Sequence, residues 1–297
     1  MVGFLSLFSF PNSNDIKSFK KIATALAFSP RAEALLYEAK RISSKLNARL
    51  VLIHAGEKSK ALESQMNELL QKVALKKELV EIIWEEGNPV DVLYSVSKRE
   101  KIDILILGAM QNEAMLRYYI GSVARKISRK PPCTILLVTH PSKNETGLSS
   151  VVVNGINHPK TGNSIETALS FANQFDVSDI VIVEEVPKKQ VKTKIDDDKS
   201  LIKAAEEKER VRSQEELRIQ NIIEKIENKG RAHIQTKCVF GKLGYSIGHF
   251  AEVKKTDLLI MNSPDKKLGF FDRFFPHDLE YILSDMPCDL MIVENND

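Results

Sequence analysis

Two stretches of the chain, GNPVDVLYSVSKREKIDILILG from Gly87 to Gly108 and GKLGYSIGHFAEVKKTDLLIMN from Gly241 to Asn262, align without a gap at an offset of 154 residues. Asp103 pairs with Asp257 directly ahead of an apolar run in each copy. At an offset of 155, PCTILLV from Pro132 returns as PCDLMIV from Pro287. In a chain of 297 residues a repeat this long implies two copies of one structural unit, each large enough to bury its own core.

Within each copy, short apolar runs alternate with stretches of helical period, the pattern of a parallel sheet wrapped by crossover helices. The first copy has runs at 22–26, 50–54, 80–84, 104–107 and 134–138, and the second at 151–153, 180–183, 233–239, 258–261 and 290–293. The expected fold is therefore α/β: two doubly wound, parallel five-stranded sheets in tandem, Rossmann-like. The expected organisation is an N-terminal arm over 1–18, a first domain over 19–141, a polar linker over 142–150 and a second domain over 151–297. The second domain carries a long charged helical segment at 187–230, where Ile219, Ile222, Ile223 and Ile226 form one apolar stripe. A solvated helix laced with local ion pairs and a partner-binding arm are the two readings of that segment.

The 43 basic and 40 acidic residues are too evenly balanced to indicate nucleic acid or an anionic membrane as partner. Cys133, Cys238 and Cys288 form no C-x-x-C pair, which argues against a disulfide framework or zinc site and for a reducing cytoplasm. No run reaches the roughly 18 apolar residues of a membrane span. The apolar arm MVGFLSLFSF reads as a packing segment, with a membrane-proximal role as the alternative. The six histidines fall in separate segments, and no H-E-x-x-H, G-x-S-x-G or P-loop motif occurs, so neither catalytic residues nor a metal site are expected.

From about Lys20 onward the chain resembles tandem universal stress proteins, whose domain is a doubly wound sheet of the adenine nucleotide alpha hydrolase-like type. Nucleotide-binding members carry a Gly-x2-Gly-x9-Gly-Ser/Thr loop after the fourth strand. Here Gly108 fills the first position, Gln111 stands at the second, and Gly121, Ser122 and the following Val123 fill the last. Glycine permits close backbone approach to a phosphate, and amides at a helix start donate to its oxygens. Gly121-Ser122 reads equally as the start of a helix with a hydroxyl near its cap. The family's aspartate after the first strand aligns with Ala27, followed by Phe28. With Ala55 after the second strand, Ala27 would border the adenine side of the crevice, and it offers no hydrogen-bond acceptor.

In the second copy Asn262, Asp265 and Pro276-His277 occupy or flank the loop positions. Proline lacks an amide, and Asp265 adds a negative charge where phosphate would sit. Phe270, Phe271, Phe274 and Phe275 read as a helix or lid on the sheet, or as a partner patch. The resemblance implies a cytoplasmic stress-response or regulatory protein with weak or no nucleotide binding, acting through a protein partner or small ligand. The alternative is a module that binds ATP or another adenine nucleotide in the first domain only, with slow hydrolysis a third option. It further implies an internal pseudo-dimer packed through the last strands of the two domains, and admits a homodimer.

Overall fold

The computed structural model describes residues 18–112, 117–139, 141, 147–191, 193, 196–265 and 276–294. Most of the N-terminal arm and the Phe270–Phe275 cluster lie outside the described residues. In the first half the elements are β1 (Lys21–Ala25), α1 (Ala32–Lys45), β2 (Arg49–Ala55), α2 (Lys60–Lys72), β3 (Val80–Glu85), α3 (Pro89–Arg99) and β4 (Ile104–Gly108). A two-stranded ribbon follows, β5 (Met110–Asn112) with β6 (Arg117–Tyr119), then α4 (Ser122–Arg129) and β7 (Thr134–Val138). The second half runs β8 (Ser150–Asn154), α5 (Thr161–Gln174), β9 (Asp179–Pro187), α6 (Asp198–Glu224), β10 (His233–Gly241), α7 (Tyr245–Val253), β11 (Leu258–Asn262), α8 (Pro276–Ser284) and β12 (Asp289–Val293).

Local chemistry sets several of these boundaries. Asn88 caps α3 through Oδ1 and is followed by Pro89, whose missing amide costs nothing at a first helical position. Asp197 and Ser200 form a reciprocal capping box at the start of α6. The repeated aspartates do the same work in both halves at the N-terminal edge of the sheet. Asp103 Oδ2 accepts the amides of Lys20 and Lys21, and Asp257 Oδ2 those of Ser149 and Ser150, so each pins the entry of its half's first strand.

The two halves have the same strand order, first-half β3-β2-β1-β4-β7 matching second-half β10-β9-β8-β11-β12. The expectation of two separate sheets is corrected, because the halves share one ten-stranded sheet. Its neighbouring strands are parallel except at the seam, where β7 and β12 pair antiparallel. Each last strand would otherwise present an unpaired edge of apolar residues, and mutual pairing removes both edges at once. The register sets Leu136 directly against Met291, its counterpart in the other half, so a local twofold axis passes through that pair. The flanking contacts share this relation: the Thr139 amide donates to Asp289 Oδ1 at 2.8 Å, and the Glu294 amide to Thr134 Oγ1 at 3.3 Å.

Alternation along the strands sends side chains to two faces, and each face is a core continuous across the seam. One lies under α1, α2, α5 and α6, where Phe19 meets Phe171 edge-on and Arg41 lies over the Phe175 ring. The other lies under α3, α4, α7 and α8. There Arg125 and Arg129 of α4 clasp Glu280 of α8 at 2.7 and 2.6 Å. The basic stretch after Gly121 thus finds its acidic partner in the other half. In α6, Ile219 and Ile223 are buried against the first of these cores, while Arg212 and Arg218 pair with Glu209 and Glu215 one turn away. Among the described residues no helix is long and apolar enough to cross a membrane.

Candidate functional site

In a doubly wound sheet the ligand crevice opens at the carboxyl ends of the strands, where the chain order reverses. That point falls between β1 and β4 in the first half and between β8 and β11 in the second. The register sets Gly108 at the end of β4, level with the exit from β1, and brings Ala27 and Ala55 to the same edge. Gly121 is the N-cap of α4, with Ser122 exposed and Val123 half-buried in its first turn. Gln111 sits in the ribbon, its backbone opposite Tyr118, so the segment after Gly108 forms a β-hairpin. Tyr118 and Tyr119 supply β-forming residues that a glycine-spacing reading does not weigh.

The ladders equate Ile22 with Val151 and, with no gap before the first helix, Pro30-Arg31 with Pro159-Lys160. Sequence reasoning missed this pair, although the repeated proline followed by a cation was there to be found. Arg31 and Lys160 are the N-cap residues of α1 and α5 and share a helical backbone conformation. Both reach across the crevice to strand-end carbonyls. Arg31 donates to Ala109 O at 2.8 Å and Thr139 O at 3.0 Å. Lys160 donates to Ser263 O at 3.1 Å and Pro264 O at 3.0 Å.

A side chain at Gly108 would meet α1 in ordinary contact. A Cβ there would lie 3.5 Å from Leu35 of α1. At the equivalent place in the second half Asn262 faces Ser164, whose hydroxyl donates to Asn262 Oδ1 at 2.5 Å, while Nδ2 donates to Thr161 Oγ1. Small beside large in one half is balanced by polar beside polar in the other.

The side of the crevice over the first and second strands carries contacts of its own. In the first half Phe28 packs on His54 with ring centroids 5.0 Å apart, and His54 on Trp84 at 4.9 Å. His54 Nδ1–H donates to the Leu26 carbonyl at 2.9 Å. In the second half the equivalent carbonyl, of Gly155, accepts from Arg218, which also pairs with Glu184 of β9. Burial pushes Glu184 up to about 8; the charge of Arg218 pulls the other way, and that of Glu215 adds to the rise. The next residue, buried Glu185, accepts the amides of Gly244 at 2.9 Å and Ile247 at 2.8 Å and so anchors the start of α7. Gly244 holds φ +77°, a conformation that favours glycine.

Asp265 stands three places after Asn262, as Gln111 stands three after Gly108. Its carboxylate meets Lys160 Nζ at 3.1 Å and His158 Nε2 at 3.1 Å. Burial works against this charge, but the hydrogen bonds from Lys160 and His158 outweigh it and hold the carboxyl below its usual range. A cavity of about 230 Å³ lies between α2 and β3, lined by Lys58, Glu63, Met66, Asn67, Val80 and Trp84 among others. It is away from the point where chain order reverses, so the strand-end crevice is the better candidate site. Among the described residues no three of His, Cys, Asp and Glu converge as metal ligands.

Residues 18–139 match the model of the universal stress protein family, so the first half carries a domain of that family. Two solved structures cover nearly the whole chain at 13% identity each, a level that speaks to fold alone. One is a functionally unknown protein from Pseudomonas aeruginosa PAO1 (TM-score 0.65, covering 94% of this chain and 94% of that one). The other is a universal stress protein from Archaeoglobus fulgidus DSM 4304 (TM-score 0.64, 92% and 98%). None of the curated proteins matches the chain.

Proposed function

We propose that the chain is a tandem universal stress protein, its second half a further domain of the same type joined to the first as an internal pseudo-dimer. In this reading it is a cytoplasmic regulatory module that works through a partner or small ligand and binds nucleotide weakly or not at all. The observation that carries it is the occupation of both strand-end crevices from within. Arg31 and the Phe28–His54–Trp84 rings lie across one, and Lys160, Asn262 and the Arg218–Glu184 pair across the other. An adenine nucleotide would have to displace these contacts, with no carboxylate at Ala27 to reward the displacement, which supports an affinity no tighter than about micromolar to millimolar.

The alternative, nucleotide binding by the first half alone, draws support from α4. Among the described residues no side-chain cap is formed at Gly121, so the start of α4 can present amides to an oxyanion. Trp84 is the chain's single tryptophan and packs in the first crevice, so its emission reports on that site. Titration with ATP and GTP, by calorimetry and by Trp84 emission, is the test. Sub-micromolar, adenine-selective binding that is lost in Gly121→Val would overturn the proposal in favour of the alternative.

A further inference from the structure

The contacts of Asp265 are those of a bound anion. Lys160 Nζ approaches Ser263 O, Ser263 Oγ, Pro264 O and Asp265 Oδ1, all at 3.0–3.1 Å. His158 Nδ1 accepts the Lys160 amide at 3.2 Å, which leaves Nε2 to carry the ring proton and point it at Asp265 Oδ2. Two donors on one turn therefore converge on the two oxygens of one carboxylate.

The place is also unusual for a cation. Lys160 is the N-cap of α5, where the helix dipole disfavours positive charge and favours negative. The carbonyls after β11 offset part of that cost, and the Asp265 carboxylate supplies the anion that both the helix end and the ammonium favour. Arg31, at the same place in the first half, is likewise seated on strand-end carbonyls. The carboxylate comes from the loop after the fourth strand of its half, within bonding distance of the crevice cation.

We propose that Asp265 is a built-in anion: its carboxylate occupies an oxyanion receptor formed by Lys160 and His158 and keeps it closed to inorganic phosphate or any ligand bearing a comparable oxyanion. This rests on the reading that the crevices are filled from within. It adds that the second crevice is a self-occupied anion site, made by side-chain donors in place of glycine-loop amides. Removing the carboxylate opens the receptor, and removing the lysine as well abolishes it.

The test is thermal unfolding of the full chain in inorganic phosphate, against chloride at matched ionic strength, for the natural protein, Asp265→Ala, Asp265→Asn and Lys160→Ala/Asp265→Ala. At about 10 mM phosphate Asp265→Ala should gain about 2 °C or more in Tm over the natural protein's own phosphate response. Asp265→Asn, which keeps the side chain's shape but not its charge, should gain less, and the double variant nothing. Folding of each variant is checked by circular dichroism. Folded Asp265 variants that respond to phosphate as the natural protein does, or a response that survives loss of Lys160, would overturn the proposal. Nucleotide calorimetry on the natural protein tests the underlying reading separately: tight ATP binding there defeats that reading whatever the Asp265 variants do.

Discussion

Met291→Ala tests whether the seam makes the two halves one cooperative unit. Met291 belongs to β12, is fully buried, and faces Leu136 of β7 across the antiparallel ladder. Truncating a buried methionine to alanine costs about 2–5 kcal/mol. For a 297-residue chain unfolding as one unit, at about 2.1 cal/mol/K per residue, each kcal/mol lowers Tm by roughly 1.6 °C, so a fall of at least about 3 °C is expected. The decisive measurement compares two probes in a urea titration. Far-ultraviolet dichroism reports both halves, whereas Trp84, in β3 at the far edge of the sheet, reports only the first. If the sheet unfolds as one unit, a cavity made in the second half must shift the Trp84 transition as far as the dichroism transition. Leu136→Ala combined with Met291→Ala should also be non-additive by about 0.5–3 kcal/mol, because the two side chains are paired. A Trp84 midpoint unchanged by Met291→Ala, with the dichroism split into two steps, would refute the reasoning.

Four further outcomes are expected. Folded Glu184 holds its proton up to about pH 8, while an unfolded chain releases it near 4.5. Across that window the folded state binds more protons than the unfolded one, so stability falls as pH rises; Glu184→Gln should flatten the urea midpoint between pH 6.5 and 8, and parallel profiles would contradict this. Glu185→Ala leaves the amides of Gly244 and Ile247 without their acceptor and should cost about 1–3 kcal/mol by denaturant titration, with Glu185→Gln milder. Cys133 and Cys288 are buried, and burial pushes the first thiol up to about 12 and the second higher still. A thiol reagent should therefore label half-buried Cys238 first in native protein and all three only on unfolding; rapid native labelling of either buried cysteine would refute this. Finally, Gly108→Asn extends beyond a Cβ that would already touch Leu35 and should lower Tm, whereas Gly108→Ala, whose Cβ meets Leu35 at ordinary contact distance, should leave it nearly unchanged; equal losses would contradict this.

Much of the fold was legible because it is written in periodicity. Runs such as Ile104–Leu107 and Leu258–Met261, buried on both faces, stay apolar throughout, and the repeat around Asp103 and Asp257 marked two copies of one element order. The merger into one sheet was harder to read. Apolar runs at 134–138 and 290–293 require a partner for each edge, but whether the edges meet by hydrogen bonds or by faces depends on geometry that periodicity does not carry. The ribbon at Met110–Tyr119 was obscured because the segment was read for glycine spacing instead of β-propensity.

At the candidate site, residue type and position carry different information. Gly108 drew attention as a phosphate-loop glycine, yet Leu35 lies within contact of any side chain placed there. The cations that occupy the crevices sit at helix starts, Arg31 and Lys160, where pattern reading registers only a helix boundary. Their equivalence emerges only when the strand ladders align the halves, because the repeat visible in sequence begins later, at Gly87. The two halves then fill the same place by different chemistry. Aromatic rings and a glycine–leucine contact lie in one, and the Arg218–Glu184 hydrogen bond with an asparagine–serine contact in the other. A site built around one ligand would restrict both halves to the groups that ligand needs. Filling one space with unrelated groups, while a cation on strand-end carbonyls stays common to both, accords with the proposal of a closed, internally satisfied sheet edge.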